Sequence, residues 1–88
     1  MLIPVHEGRF EKDIKLAVKR GLSMKKINTI ITLLVNEAPL PIKNKNHPLK
    51  GKYMGFLECH IEPDWLLIYR KTDTHIYFSR TGTHSDLF

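Results

Sequence analysis

The spacing of apolar residues changes once along this chain, and that change limits the fold more than any other feature. Up to about residue 35 they recur at helical spacing: Phe10, Ile14, Ala17 and Val18 in one segment, then Met24, Ile27, Ile30, Ile31 and Leu34 in the next. From Leu57 onward they alternate, with Leu57, Cys59 and Ile61 on one side of an extended segment and Glu58, His60 and Glu62 on the other. A period of 3.6 residues lays one apolar stripe along a helix, whereas a period of two gives a strand one apolar face. Helices first and strands afterwards describe an α+β chain, not the alternating order of a parallel α/β sheet.

Punctuation between these segments sets the expected elements. Leu2 to Val5 reads as a short strand that Pro4 confines to a sheet edge or a strand start. The first helix carries Lys12, Lys15 and Lys19 on its polar face and ends near Gly21; Ser23 is the expected N-cap of the second, and the two pair as a helical hairpin. Residues 37 to 53 read as a loop, with Pro39, Pro41 and Pro48 among lysines and asparagines; its length marks it as a functional loop. Glu62-Pro63-Asp64 is a hairpin turn, and WLLIYRK and HIYFSR are two further strands joined by Thr72-Asp73-Thr74. The expectation is two helices on one face of an antiparallel sheet of three to four strands, with the other face open. That other face carries Glu58 and His60 and is the candidate site.

With 88 residues the chain is expected to form one small domain, spanning 1–88, with no room for a separate cofactor domain. A lone Cys59 cannot close an intramolecular disulfide, and no charged-then-apolar leader opens the chain, so the cytoplasm is the expected compartment. The apolar run around ITLLV falls far short of the roughly 20 residues that span a bilayer, which excludes a membrane-spanning reading of it. Charge is uneven. Residues 1–52 hold eleven Lys and Arg against four Asp and Glu, and residues 53–88 hold three against five, for a net +5. The basic half suits a polyanion such as nucleic acid, although lysines that merely keep a small protein in solution would look the same.

Three of the five histidines lie in short motifs of the second half: NHPLKG with His47, ECHIEPDW with His60 and Asp64, and RTGTHSDLF with His84. Several imidazoles in a small basic domain suit acid/base chemistry on a phosphate backbone. A zinc shell is the rival chemistry. No two of these histidines sit at a short ligand spacing, and Cys59 points away from His60, so no metal and no cofactor are expected.

The run NHPLKGKYMGFLECHIEPDWLLIY followed by RTGTHSDLF, with FEKDIKLAVKRG and ITLLVNEAPLP ahead of it, closely resembles the YafQ branch of the RelE-like bacterial toxins. The resemblance covers nearly the whole chain. It implies a RelE-like fold and a toxin of a type II toxin–antitoxin pair. Such a toxin is a ribosome-dependent endoribonuclease that cuts mRNA in the A site and so inhibits translation. The implied partners are the ribosome with its mRNA and a cognate antitoxin of ribbon-helix-helix type, held in a hetero-oligomer, with no membrane involved.

Matched by motif, His47 falls in the H-P-L loop, His60 and Asp64 in the H-x-E-P-D-W hairpin, and His84 at the family's proton-donor histidine. Phe88 matches a terminal aromatic that helps hold the substrate. Glu58 stands where relatives can carry Asp, and Arg80 matches an arginine near the site, although strict alternation puts it on the face of Ile76 and Phe78. Metal-free RNA cleavage uses the adjacent 2′-OH as nucleophile and needs a base, an acid and a cation. The resulting expectation is His84 as acid and His60 as base, with Asp64 orienting His60 or acting as base itself. His47 would bind phosphate or tune its neighbours, and Arg80 would steady the transition state. The competing reading is a non-catalytic ribosome- or protein-binding module, an inactive toxin homologue. Fraying is the competing reading for His84 and Phe88, so near the C-terminus, whereas His6 and His75 match no motif and Trp65 reads as core.

Overall fold

The computed structural model describes residues 1–88. In chain order it forms β1 (Ile3–His6), α1 (Gly8–Lys19), α2 (Met24–Val35), a 3-10 turn at Ile42–Asn44, and β2 (His47–Pro48). A second 3-10 turn at Gly51–Tyr53 follows, then β3 (Leu57–Glu62), β4 (Trp65–Lys71), β5 (His75–Gly82) and α3 (His84–Leu87). The α+β arrangement is the expected one. The sheet, however, has five strands in the order β1-β5-β4-β3-β2, and β1 runs parallel to β5 while the other pairs are antiparallel. The expected strand β1 and the unforeseen β2 both lie at edges, where Pro4 and Pro48 leave no inner ladder bond unmade.

The helix ends follow from local chemistry. Ser23 Oγ accepts a hydrogen bond from the backbone N–H of Lys26 at 3.3 Å, capping α2 as expected. After α1, Gly21 adopts φ +77° and the chain closes with Leu22 N–H on Ala17 O (3.1 Å) and Gly21 N–H on Val18 O (3.0 Å). That is a Schellman ending, which favours glycine at the left-handed position. The same pattern closes α2, where Ala38 N–H reaches Leu33 O (2.9 Å), but the left-handed residue is Glu37 at φ 55°.

Phe10, Ala17, Ile27, Ile30 and Leu34 pack with Cys59, Trp65, Leu67, Tyr69, Ile76 and Phe78 in the main core between helices and sheet. Helix α1 lies on β5 and α2 on β3. Val18 falls off the buried stripe and is exposed. Leu66, Ile68 and Leu87 form a second cluster on the opposite face, with Leu49, Tyr53 and Phe56 packed against it. That face is therefore only partly open, because the loop and the C-terminus cover its middle, and β4 is buried from Trp65 to Tyr69 without alternation.

Two bulges set which side chains reach the open part. Ile68 pairs with Arg80 but Tyr69 pairs with Phe78, so Ser79 is an extra residue in β5. His60 pairs with Leu66 and Glu62 with Trp65, so Ile61 is an extra residue in β3. Each extra residue reverses the in-and-out parity beyond it.

Candidate active site

Short edge strand β2 places His47 opposite Glu58 on β3. Glu58 is only 6% exposed, and its Oε1 lies 3.3 Å from Nε2 of His47 and 3.3 Å from Nε2 of His60. One buried carboxylate thus serves two imidazoles. His47 Nδ1 lies 3.1 Å from the carbonyl oxygen of Pro48. The back of β3 is sealed. Cys59 is fully buried there, and burial, helped by the charge of Glu58, pushes its thiol up to about 12, which removes it as nucleophile or ligand near neutral pH.

Beyond the hairpin turn, Asp64 Oδ1 accepts from the backbone N–H of His84 at 2.9 Å and from its Nδ1 at 2.6 Å. These two bonds, the backbone one first, hold the Asp64 carboxyl below its usual range. Because Nδ1 of His84 is engaged, Nε2 is the nitrogen left for a substrate. The rings of His60 and His84 lie 5.8 Å apart, centre to centre. Asp64 therefore positions His84, whereas the sequence suggested His60; Glu58 fills that place beside His60.

His84 and Phe88 are not frayed. Thr83 and Asp86 form a reciprocal capping box at the start of α3, and Asp86 is bound by Arg20 of the α1 end at 2.6 Å. Leu87 is buried, and Phe88 N–H bonds to His84 O at 2.9 Å. The Phe88 ring, more than half exposed, meets the edge of Tyr53 at 5.5 Å. An exposed aromatic one helical turn after His84, held by a partner ring, is an available stacking surface.

The bulges correct two placements. Arg80 leaves the face of Phe78 and joins that of Ile68, beside Tyr53 and Phe56. Its Nε donates to Asp13 Oδ2 at 2.7 Å and its Nη2 to Oδ1 at 3.3 Å, while Asp13 also accepts from Thr81 N–H at 3.1 Å. Glu62 turns to the helix side and pairs with Lys26 at 2.8 Å, so it leaves the histidine face. Sequence reasoning missed Asp13 and Tyr53. Asp13 had a weak signal as an acid among the lysines of α1, whereas Tyr53, whose hydroxyl donates to Leu87 O at 3.4 Å, had none. Trp65 is core as expected, and its Nε1 donates to Thr81 Oγ1 at 2.9 Å.

The structure brings His47, Glu58 and His60 together so that one ligating atom from each lies within 4.8 Å of the others. No spacing in the chain signals this set, because its members come from two strands. A two-nitrogen, one-oxygen set with an open side fits a first-row divalent ion such as Zn²⁺.

A small basic α+β domain with a histidine and carboxylate cluster at the rim of its sheet suits acid/base work on a phosphodiester, as in a nuclease, and comparison with known proteins supplies the class. The family model described as "Bacterial toxin of type II toxin-antitoxin system, YafQ" matches residues 3–88. The mRNA interferase toxin YafQ of Escherichia coli K12 is 49% identical over 84 residues, covering 94% of this chain and 91% of that protein. YafQ in the crystal structure of the E. coli DinJ-YafQ toxin-antitoxin complex superposes with a TM-score of 0.92 at 46% identity, covering 99% and 97% of the two chains. A metal-bound toxin from Helicobacter pylori superposes with a TM-score of 0.94 at 40% identity over the whole of both chains. The chain belongs to the YafQ family of type II toxin–antitoxin toxins. It is an endoribonuclease, an mRNA interferase. None of its helices is long and apolar enough to cross a membrane.

Proposed function

We propose that this toxin cuts mRNA in the ribosomal A site by side-chain acid/base catalysis, without a metal in the reaction. The observation that carries the reading is the pair of carboxylate-backed histidines, His60 on Glu58 and His84 on Asp64, with rings 5.8 Å apart. His60 takes the proton of the 2′-OH, whose oxygen attacks the adjacent phosphorus. His84, with Asp64 stabilising its imidazolium, gives a proton from Nε2 to the leaving 5′ oxygen. The products are a 2′,3′-cyclic phosphate and a free 5′-hydroxyl. His47, between Glu58 and solvent, contacts the phosphate oxygens, Arg80 adds positive charge from the flank, and Phe88 stacks on a base. Each proton transfer contributes roughly 10² to 10⁴ in rate.

An 88-residue chain offers little surface to hold a flexible RNA in register, so the ribosome supplies the positioning and its entropic advantage. Residues 1–88 act as one domain. As E. coli YafQ does with DinJ, this chain pairs with an antitoxin, here of ribbon-helix-helix type, in a hetero-oligomer, and its substrate places it in the cytoplasm. Translated mRNA should be cut far faster than the same RNA free in solution. Equal rates would refute ribosome dependence, and no cleavage of either would favour the non-catalytic module.

The three-ligand cluster supports a second reading. His47, Glu58 and His60 would hold a divalent ion, which would supply Lewis-acid activation of the phosphate. Cleavage lost in EDTA with intact ribosomes, and restored by Zn²⁺, would establish it.

A further inference from the structure

Beside the histidine cluster, a cleft of about 370 Å³ opens between α2, the Ile42–Asn44 turn and β3, lined by Lys26, Lys43, Asn44, Lys45, His60 and Glu62 among others. We infer that this cleft is a subsite for a phosphate of the cut RNA strand, with Lys43 and Lys45 as its cations. The inference rests on reading the histidines as the cutting centre.

Three observations carry it. First, the charge in the cleft is not neutralised internally. The single acid, Glu62, is already paired with Lys26, and neither Lys43 nor Lys45 makes an ion pair. Second, the turn that presents these lysines is held in place rather than loose. Asn44 is 4% exposed, and its Nδ2 donates to the His60 carbonyl at 2.7 Å, occupying the β3 edge where β2 has ended. Lys45 next to it sits in the left-handed region at φ 45°, a conformation that a non-glycine residue keeps only when its surroundings enforce it. Third, the cleft is continuous with the chemistry. The residue whose backbone anchors Asn44 is His60, the proposed base, and it is one of the residues that line the cleft. A strand whose scissile phosphate lies between His60 and His84 and which leaves over the β3 edge passes these two ammonium groups. Point charges on flexible stems suit a phosphodiester, which they hold without reading sequence.

The test compares Lys43→Gln/Lys45→Gln with wild type and with Lys12→Gln/Lys15→Gln, which removes the same charge from the exposed outer face of α1. One arm measures single-turnover cleavage of ribosome-bound mRNA. The other measures fluorescence anisotropy with a short single-stranded oligoribonucleotide carrying a 2′-deoxy at the cut position. Loss of the subsite should raise the half-saturating toxin concentration about tenfold while the rate at saturation stays within about twofold. It should also flatten the log–log salt dependence of oligonucleotide binding by roughly 0.7 for each phosphate that is no longer neutralised. An unchanged salt slope, an equal effect in the α1 control, or weakening on ribosomes but not on the oligonucleotide would overturn the proposal; the last would mean ribosomal contact instead. If wild type cuts nothing, the parent reading fails, yet the binding arm needs no catalysis and still decides the subsite.

Discussion

Replacing Asp13 by alanine tests how the bulge in β5 holds Arg80. The Asp13 carboxylate accepts three bonds, from Arg80 Nε at 2.7 Å, Arg80 Nη2 at 3.3 Å and Thr81 N–H at 3.1 Å. The pair is largely covered, with side chains 17% and 13% exposed. An exposed ion pair contributes about 0 to 1 kcal/mol, whereas truncating one partner of a fully buried pair costs about 3 to 5 kcal/mol. A mostly covered pair whose loss also strands a backbone N–H falls between, at about 2 to 3 kcal/mol. In a domain of this size that lowers the melting temperature by about 8 to 24 °C. Urea unfolding of Asp13→Ala, Arg80→Ala and the double variant should show a coupling energy of at least about 1 kcal/mol, because the two residues share their bonds. Asp13→Ala costing under about 0.5 kcal/mol, with no coupling, would refute the claim that this carboxylate fixes Arg80 on the Ile68 face.

Glu37 ends α2 in the left-handed region at φ 55°, so Glu37→Gly should stabilise the fold by about 0.5 to 1 kcal/mol in urea unfolding; a loss would contradict the Schellman reading. Asp64 and Asp86 are both held below the usual carboxyl range, Asp64 by the backbone N–H and imidazole of His84, Asp86 chiefly by Arg20. Their contribution is present above about pH 4, the ordinary carboxyl value, and is lost as pH falls through the lowered values. Urea midpoints should therefore fall with acid, and less steeply in Asp64→Asn/Asp86→Asn; equal steepness would contradict the assignment. Asp64→Asn, which lets Nδ1 of His84 lose its fixed proton, should slow single-turnover cleavage about 10- to 100-fold, and an unchanged rate would detach Asp64 from the chemistry.

The helices were legible because each carries one apolar period over its length, and the three central strands because runs of apolar, β-branched and aromatic residues stand between turn signals. Strand β1 was legible as an edge strand, although its parallel pairing with β5 was not, and β2 was hidden. His47 and Pro48 form a two-residue strand inside a proline-rich segment, and its partners Glu58 and Leu57 cannot be inferred from local pattern. Bulges are invisible to alternation, since one extra residue, Ile61 or Ser79, reverses every placement beyond it; that is why alternation puts Glu62 and Arg80 on the wrong faces. Motif matching points to His47, Glu58, His60, Asp64 and His84, but not to which carboxylate meets which imidazole. Asp64 meets His84 across a hairpin and the α3 turn, and Asp13 meets Arg80 from the other end of the chain. Such pairings depend on where the strands end, which composition and spacing do not report.

The central claim is that His84, fixed by Asp64, protonates the leaving oxygen. The most direct measurement is single-turnover cleavage of ribosome-bound mRNA by wild type and His84→Ala, with excess EDTA over free metal under conditions that leave ribosomes intact, and with chemical identification of the new RNA ends. The account predicts a loss of at least about 10²-fold in His84→Ala with ribosome affinity nearly unchanged, and 2′,3′-cyclic phosphate ends from wild type in EDTA. A His84→Ala rate near wild type, or wild-type cleavage that stops in EDTA or leaves 5′-phosphate ends, would contradict it.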